Sequence, residues 1–373
     1  MGGIPAAILT AGLLLAALPA FAAQVIDAGA ARRATQEPTV VATASNLTSL
    51  AADGRVSELA LRVQRISTDR KLEPAAREWL LDRGLHELAR LAPMPAARAV
   101  VQQLAGRRPE VFTRLDPDHG DRATPLYDTG ATARFVLRAW LRAEARAQTE
   151  ADLAAGRTAQ IERFAARASA DVQDPERAGI VEAFEAAPRA QLAAQRNAAA
   201  AIMAAGGRAD EIALVLARRL VDAELATLVI GHAEPRIALG AVRSLTAAFD
   251  SHTALGLLQD ASRRADIASA ALLAIGELAR YDAAARTILF EQIADPGNGP
   301  SAAAALASVG DPAIAVEIGR RLRATTADQP RRLHVLALKL DASPVARDEL
   351  RRFLATGQGS AQLRSDVQQW LER

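Results

Sequence analysis

The stretch Ala302-Ala303-Ala304-Ala305-Leu306-Ala307-Ser308-Val309-Gly310-Asp311-Pro312-Ala313-Ile314-Ala315-Val316-Glu317-Ile318 decides the fold. Alanine and leucine are strong helix formers, so residues 302–309 predict a helix. A short turn holding Asp311 follows. Ile314, Ile318 and Leu322 then supply the apolar face of a second, amphipathic helix. An aspartate in such a turn can accept hydrogen bonds from the free N–H groups that open the next helix.

Read outward, the unit recurs. Aspartates stand in equivalent turns at Asp250, Asp282, Asp311 and Asp341, about 30 residues apart. The helices before them run through 237–245, 267–278, 302–309 and 333–340. Those after them run through 254–258, 284–293, 314–322 and 345–354. An earlier turn, Gly206-Gly207-Arg208-Ala209-Asp210, lies about 40 residues before Asp250. It implies either a longer unit or a shift of register there.

Ser308-Val309-Gly310-Asp311-Pro312-Ala313-Ile314 resembles the turn of HEAT-like repeats, including the short subtype also seen in phycobilisome lyases. Ala274-Ile275-Gly276-Glu277-Leu278 is similar to the segment that closes the first helix of such units. The resemblance covers roughly residues 195–370, about five units. It implies an all-α fold, an α-solenoid of stacked antiparallel helical pairs, in which neighbours bury one another's apolar faces. A concave surface binding a protein or peptide is the expectation that comes with it.

Composition agrees. Half the residues are apolar (50 %) while aromatics reach only 3 %, so residues that favour strands are thin. Helical pairing reaches back, less regularly, through residues 49–194. Pro74 opens a helix carrying Trp79, Leu80, Leu85 and Leu88, and Asp174 is placed to cap another. Residues 106–130 interrupt this rhythm with a long loop rich in proline and aspartate, with a short helix expected around 110–115. Residues 23–48 show no helical periodicity and are expected to be a flexible leader.

Residues 4–18 form an uncharged apolar run, broken by Pro19 and followed by Ala20-Phe21-Ala22. Small residues at 20 and 22 match a signal-peptidase site, so residues 1–22 are expected to be a signal peptide and the mature chain to begin near Ala23. The protein is then periplasmic or secreted, with no later membrane span. The alternative is an inner-membrane anchor formed by residues 4–22.

Formal net charge is +2 and the isoelectric point about 9.5, because arginine supplies every positive charge except Lys71 and Lys339. Acids and bases alternate along the chain, unlike the one-sided stripe of a nucleic-acid binder. With no cysteine, thiolate metal sites, disulfides and cysteine nucleophiles are excluded. His86-Glu87 lacks the second histidine of a zinc protease, since Arg90 stands at that place. No nucleotide loop or serine-hydrolase elbow occurs. Asp116, Asp118, His119 and Asp121 form the most site-like cluster, but the order of residues departs from a calcium loop and Tyr127 occupies the closing position. No cofactor or metal is expected.

Arginines at repeat starts (Arg236, Arg263, Arg264, Arg331 and Arg332) are candidates for a ladder that binds a partner, with the Asp116–Asp121 loop as a second candidate contact. Trp79, Trp140 and Trp370 are expected in the core. Together these features predict an exported, non-enzymatic scaffold or adaptor. An enzyme or a small-ligand or bilin-lyase-like protein is one alternative, and an envelope glycan binder is another.

Overall fold

A computed structural model describes residues 24–114, 123–167 and 174–373. The described chain is all-α in class, 75 % helical with three short strands. It divides into two compact units, one ending at Leu141 and one beginning at Arg142.

The first unit contains β1 (Gln24–Ile26), α1 (Ala28–Gln36), α2 (Pro38–Ala52), α3 (Val56–Thr68), α4 (Pro74–Ala89), α5 (Pro95–Ala105), β2 (Val111–Arg114), β3 (Ala123–Pro125) and the first half of α6 (Thr129–Ala154). Leu47, Leu59, Leu80, Leu81, Leu85, Leu88 and Val101 are fully buried at its centre. Trp140 joins them and its indole N–H donates to the carbonyls of Leu88 and Leu91 at 3.2 and 3.0 Å, which satisfies its one polar atom.

Two expectations are corrected here. Residues 24–48 of the expected flexible leader form β1, α1 and most of α2. Val40, Ala44 and Leu47 are buried at helical spacing, a pattern diluted in the sequence by exposed threonine and serine. Pro38 opens α2, where its missing N–H costs nothing. The short helix expected around 110–115 is instead the strand β2. Val111-Phe112-Thr113 favours extended backbone, and β2 is the centre of a sheet in the order β1-β2-β3, parallel to β1 and antiparallel to β3.

The second unit continues with α7 (Ala159–Ala166), α8 (Pro175–Ala186), α9 (Arg189–Ala204), α10 (Asp210–Leu220), α11 (Ala223–His232), α12 (Pro235–Ala248), α13 (Ser251–Ala261) and α14 (Ala268–Leu278). It ends with α15 (Ala283–Gln292), α16 (Gly299–Ser308), α17 (Pro312–Ala324), α18 (Asp328–Asp341), α19 (Pro344–Ala355) and α20 (Ala361–Leu371). Antiparallel neighbours pair, and the even-numbered helices from α8 to α20 pack side by side as one layer. The regular stack thus starts before residue 195, the boundary expected from the sequence.

The turn chemistry matches the sequence reading at three positions and corrects it at the ends. Asp250, Asp282 and Asp311 each cap the following helix by accepting a backbone N–H. Asp222 does the same for α11 and belongs to the series in place of the turn at Gly206–Asp210. At the other end Asp341 is the last residue of α18, and Ser343 supplies the cap, accepting from the Ala346 N–H at 3.1 Å. The residue before the cap is left-handed at Val221, Gly310 and Ala342. A side chain disfavours that conformation, so only the glycine adopts it freely.

Alanine and glycine set the spacing inside the layer. A Cβ on Gly276 would lie 3.1 Å from both the Cβ and the carbonyl oxygen of Ala305, so α14 and α16 pack backbone against backbone.

Candidate functional site

Among the described residues, the buried carboxylates hold structure together. In the first unit the Glu78 carboxylate is fully buried and accepts the backbone N–H groups of Glu110 at 2.6 Å and Val111 at 3.3 Å. Burial pushes the Glu78 carboxyl above its ordinary range, against the pull of those two bonds. Arg77 and Arg107 both pair with Glu110, and Arg107 also donates to the Ser67 carbonyl at 3.0 Å. This network ties the start of β2 to α4.

In the second unit a cavity of about 240 Å³ lies among the second half of α6, α7 and α8, lined by Gln148, Thr149, Arg163, Arg167, Glu176 and Ile180. Its arginines are already engaged: Arg163 pairs with Asp152 at 2.5 Å and Arg167 with Glu176 at 2.9 Å. Burial raises the Asp152 carboxyl, but hydrogen bonds from Arg157 and Gln148 and the nearby arginine charges outweigh it and hold it below the usual range. An ionised, fully paired carboxylate is a poor proton shuttle. Among the described residues, no group of three or more His, Asp or Glu side chains is placed to hold a metal ion. No described helix is long and apolar enough to cross a membrane.

The exposed face of the even-numbered layer is more informative. Each helix there buries one side against the odd-numbered helices and two flanks against its neighbours. One line of side chains remains outward. That line is Glu211, Leu214 and Arg218 on α10; Arg236, Gly240 and Arg243 on α12; and Ser269, Leu273 and Glu277 on α14. It continues as Ser301, Ala304 and Ser308 on α16, and as Arg332, Leu336 and Lys339 on α18.

The even helices are parallel, so these lines align into three rows across the layer. Contacts fix the alignment of α10 with α12 and of α14 with α16, and side-by-side packing carries it across the remaining steps. Arg236 pairs with Glu211 at 2.6 Å, the Ser301 hydroxyl donates to that of Ser269 at 2.9 Å, and a Cβ on Gly240 would meet the Leu214 side chain at 3.5 Å. The middle row (Leu214, Gly240, Leu273, Ala304, Leu336) is wholly apolar, while the rows on both sides are polar. Leu273 is 47 % exposed, while Leu214 and Leu336 are half-buried and pack partly against the core.

The arginines expected as a ladder do not line up together. Arg236 and Arg332 lie on this face. Arg263 and Arg264 sit in the turn between α13 and α14, where Arg263 pairs with Asp260. Arg264 forks onto the carbonyls of Ile230 and Ala233, both at 2.7 Å, and so closes the end of α11. Arg331 is buried and donates to the Thr325 carbonyl. Asp116, Asp118, His119 and Asp121 lie outside the described residues, as does the apolar N-terminal run.

Sequence reasoning did not single out Leu214, Leu273, Ala304 or Leu336. The signal was present as their i, i+3 and i+4 spacing to polar residues on successive even helices, visible once the helices are put in register.

No protein-family model, curated protein or solved structure matches this chain.

Proposed function

We propose that the protein is an exported, non-catalytic scaffold or adaptor, built of HEAT-like repeats, that holds a protein or peptide on the outward face of α10, α12, α14, α16 and α18. The observation that carries this reading is the apolar middle row with polar rows on either side. A strip of apolar groups bounded by hydrogen-bonding side chains has the anatomy of a protein interface, in which a desolvated centre lies inside a polar rim. Capped helical pairs in a stack support the repeat assignment, because each pair needs its neighbours to bury its apolar face. Export is supported by the uncharged run at 4–18 and the small residues at Ala20 and Ala22.

The test is crosslinking in the native host, followed by purification of the tagged chain and identification of what it carries. A specific protein is expected, with its recovery lost in Leu273→Asp, which puts a charge at the centre of the row. Recovery of the chain alone, or of the same protein undiminished from Leu273→Asp, overturns the reading.

A further inference from the structure

We infer that the segment held on this face is acidic as well as apolar. The inference rests on the docking surface proposed above and adds the chemistry of its occupant. Three of the seven charges in these rows are satisfied within the chain. Glu211 pairs with Arg236, and Arg218 pairs with Glu185 at 2.8 Å. The outward charges with no partner among the described residues are Arg243, Arg332, Lys339 and Glu277. Three are cations and one is an anion.

The cations lie on both sides of the apolar row. Arg332 is in the row at the N-terminal ends of the helices, and Arg243 and Lys339 are in the row at the C-terminal ends. A segment seated on Leu214, Leu273 and Leu336 therefore meets unpaired cations at both edges, Arg332 at one and Arg243 and Lys339, with Glu277 between them, at the other. Carboxylates beside its apolar residues would pair with Arg243 and Arg332, whose planar guanidinium groups match a carboxylate with two parallel hydrogen bonds. A basic segment would meet like charge at the same places. Rim charges of this kind choose the partner more than they supply affinity.

The experiment uses the full chain in the native host with a photoreactive benzoyl-phenylalanine in place of Ser308, an exposed position beside Ala304. The captured segment is sequenced by mass spectrometry. It is expected to carry more Asp and Glu than Lys and Arg around its apolar residues. Capture is expected to fall on the order of tenfold in the double variant Arg243→Glu/Arg332→Glu and to be unchanged in Gln259→Glu, a charge change on the exposed side of α13. Circular dichroism of each purified variant separates loss of capture from loss of fold. A neutral or basic segment, a second copy of this chain, or capture unchanged by the double reversal overturns the inference. If Leu273→Asp still abolishes capture in those cases, the docking surface stands and only the acidic occupant falls. If nothing is captured, the docking surface itself falls.

Discussion

In the first unit Gln24 pairs with Val111, and the buried Glu78 carboxylate holds backbone that lies about 30 residues further along the chain. In the second unit the main packing of each helix is with helices one or two places away. The first unit adds to its apolar core a few long-range polar contacts whose removal exposes an unsatisfied group. The second spreads its stability over many similar local interfaces, each replaceable in part by its neighbours. Damage should therefore be concentrated in the first unit and graded in the second.

The sharpest break of that contrast is Glu78→Ala. It strands two backbone N–H groups and removes the anchor of β2, at a cost of about 3 kcal/mol. Hydrogen exchange should accelerate in α4 and β2 and stay unchanged in α14 and α16. Equal acceleration in both units would refute a difference in how they are built.

The second unit has its own buried titratable group, His334. Its Nδ1 lies 2.7 Å from the Pro330 carbonyl, and its Nε2 is buried without a partner. Burial, joined by the charge of Arg321, lowers its pKa from the ordinary 6.5, while the Pro330 bond opposes the shift. A depressed folded pKa means that the unfolded chain binds a proton first. The contribution is present above pH 6.5 and is lost as pH falls below it, by up to about 1.4 kcal/mol per pH unit until the folded group also titrates. Urea unfolding between pH 7.5 and 5.5, followed at Trp370 on the neighbouring α20, should show this slope, and His334→Gln should flatten it. An unaltered slope in the variant would assign the effect elsewhere.

A smaller effect is expected at a single cap. Asp282→Ala removes an acceptor for the Ala284 and Ala285 N–H groups and should cost about 1 kcal/mol, read as faster exchange confined to the start of α15. Loss of structure across the whole array would contradict the nearest-neighbour picture. The smallest change should run the other way. Val221 is exposed and left-handed at a φ of 59°, so Val221→Gly relieves backbone strain and should stabilise α10 and α11 by about 0.5–1 kcal/mol. A destabilised variant would show that the valine side chain contributes packing that its exposure conceals.

What was legible in the sequence follows the same division. The repeat turns were readable because Asp250, Asp282 and Asp311 each do a local job within a few residues. The register slipped at both ends for local reasons too: Asp222 follows a strained valine in place of a glycine, and Ser343 takes over from Asp341 as the cap. The sheet was not readable, because β1 and β2 are each three or four residues long and acquire meaning only when paired. The arginines misled for a chemical reason. A guanidinium can serve a partner's carboxylate or its own chain's carbonyls, and in Arg264 and Arg331 the chain uses it itself. The apolar row was hidden because its five members come from five helices and are neighbours only across the stack.

That row also acts as a ruler. Packed helices stand 8–10 Å apart, so the four steps from Leu214 to Leu336 measure about 36 Å along the layer. An extended segment covers that distance in about 11 residues, and a helix needs about 24. Synthetic fragments of a captured partner, shortened one residue at a time, would therefore lose grip in steps that correspond to single helices, and the length at which the last step is recovered would tell which conformation the segment adopts.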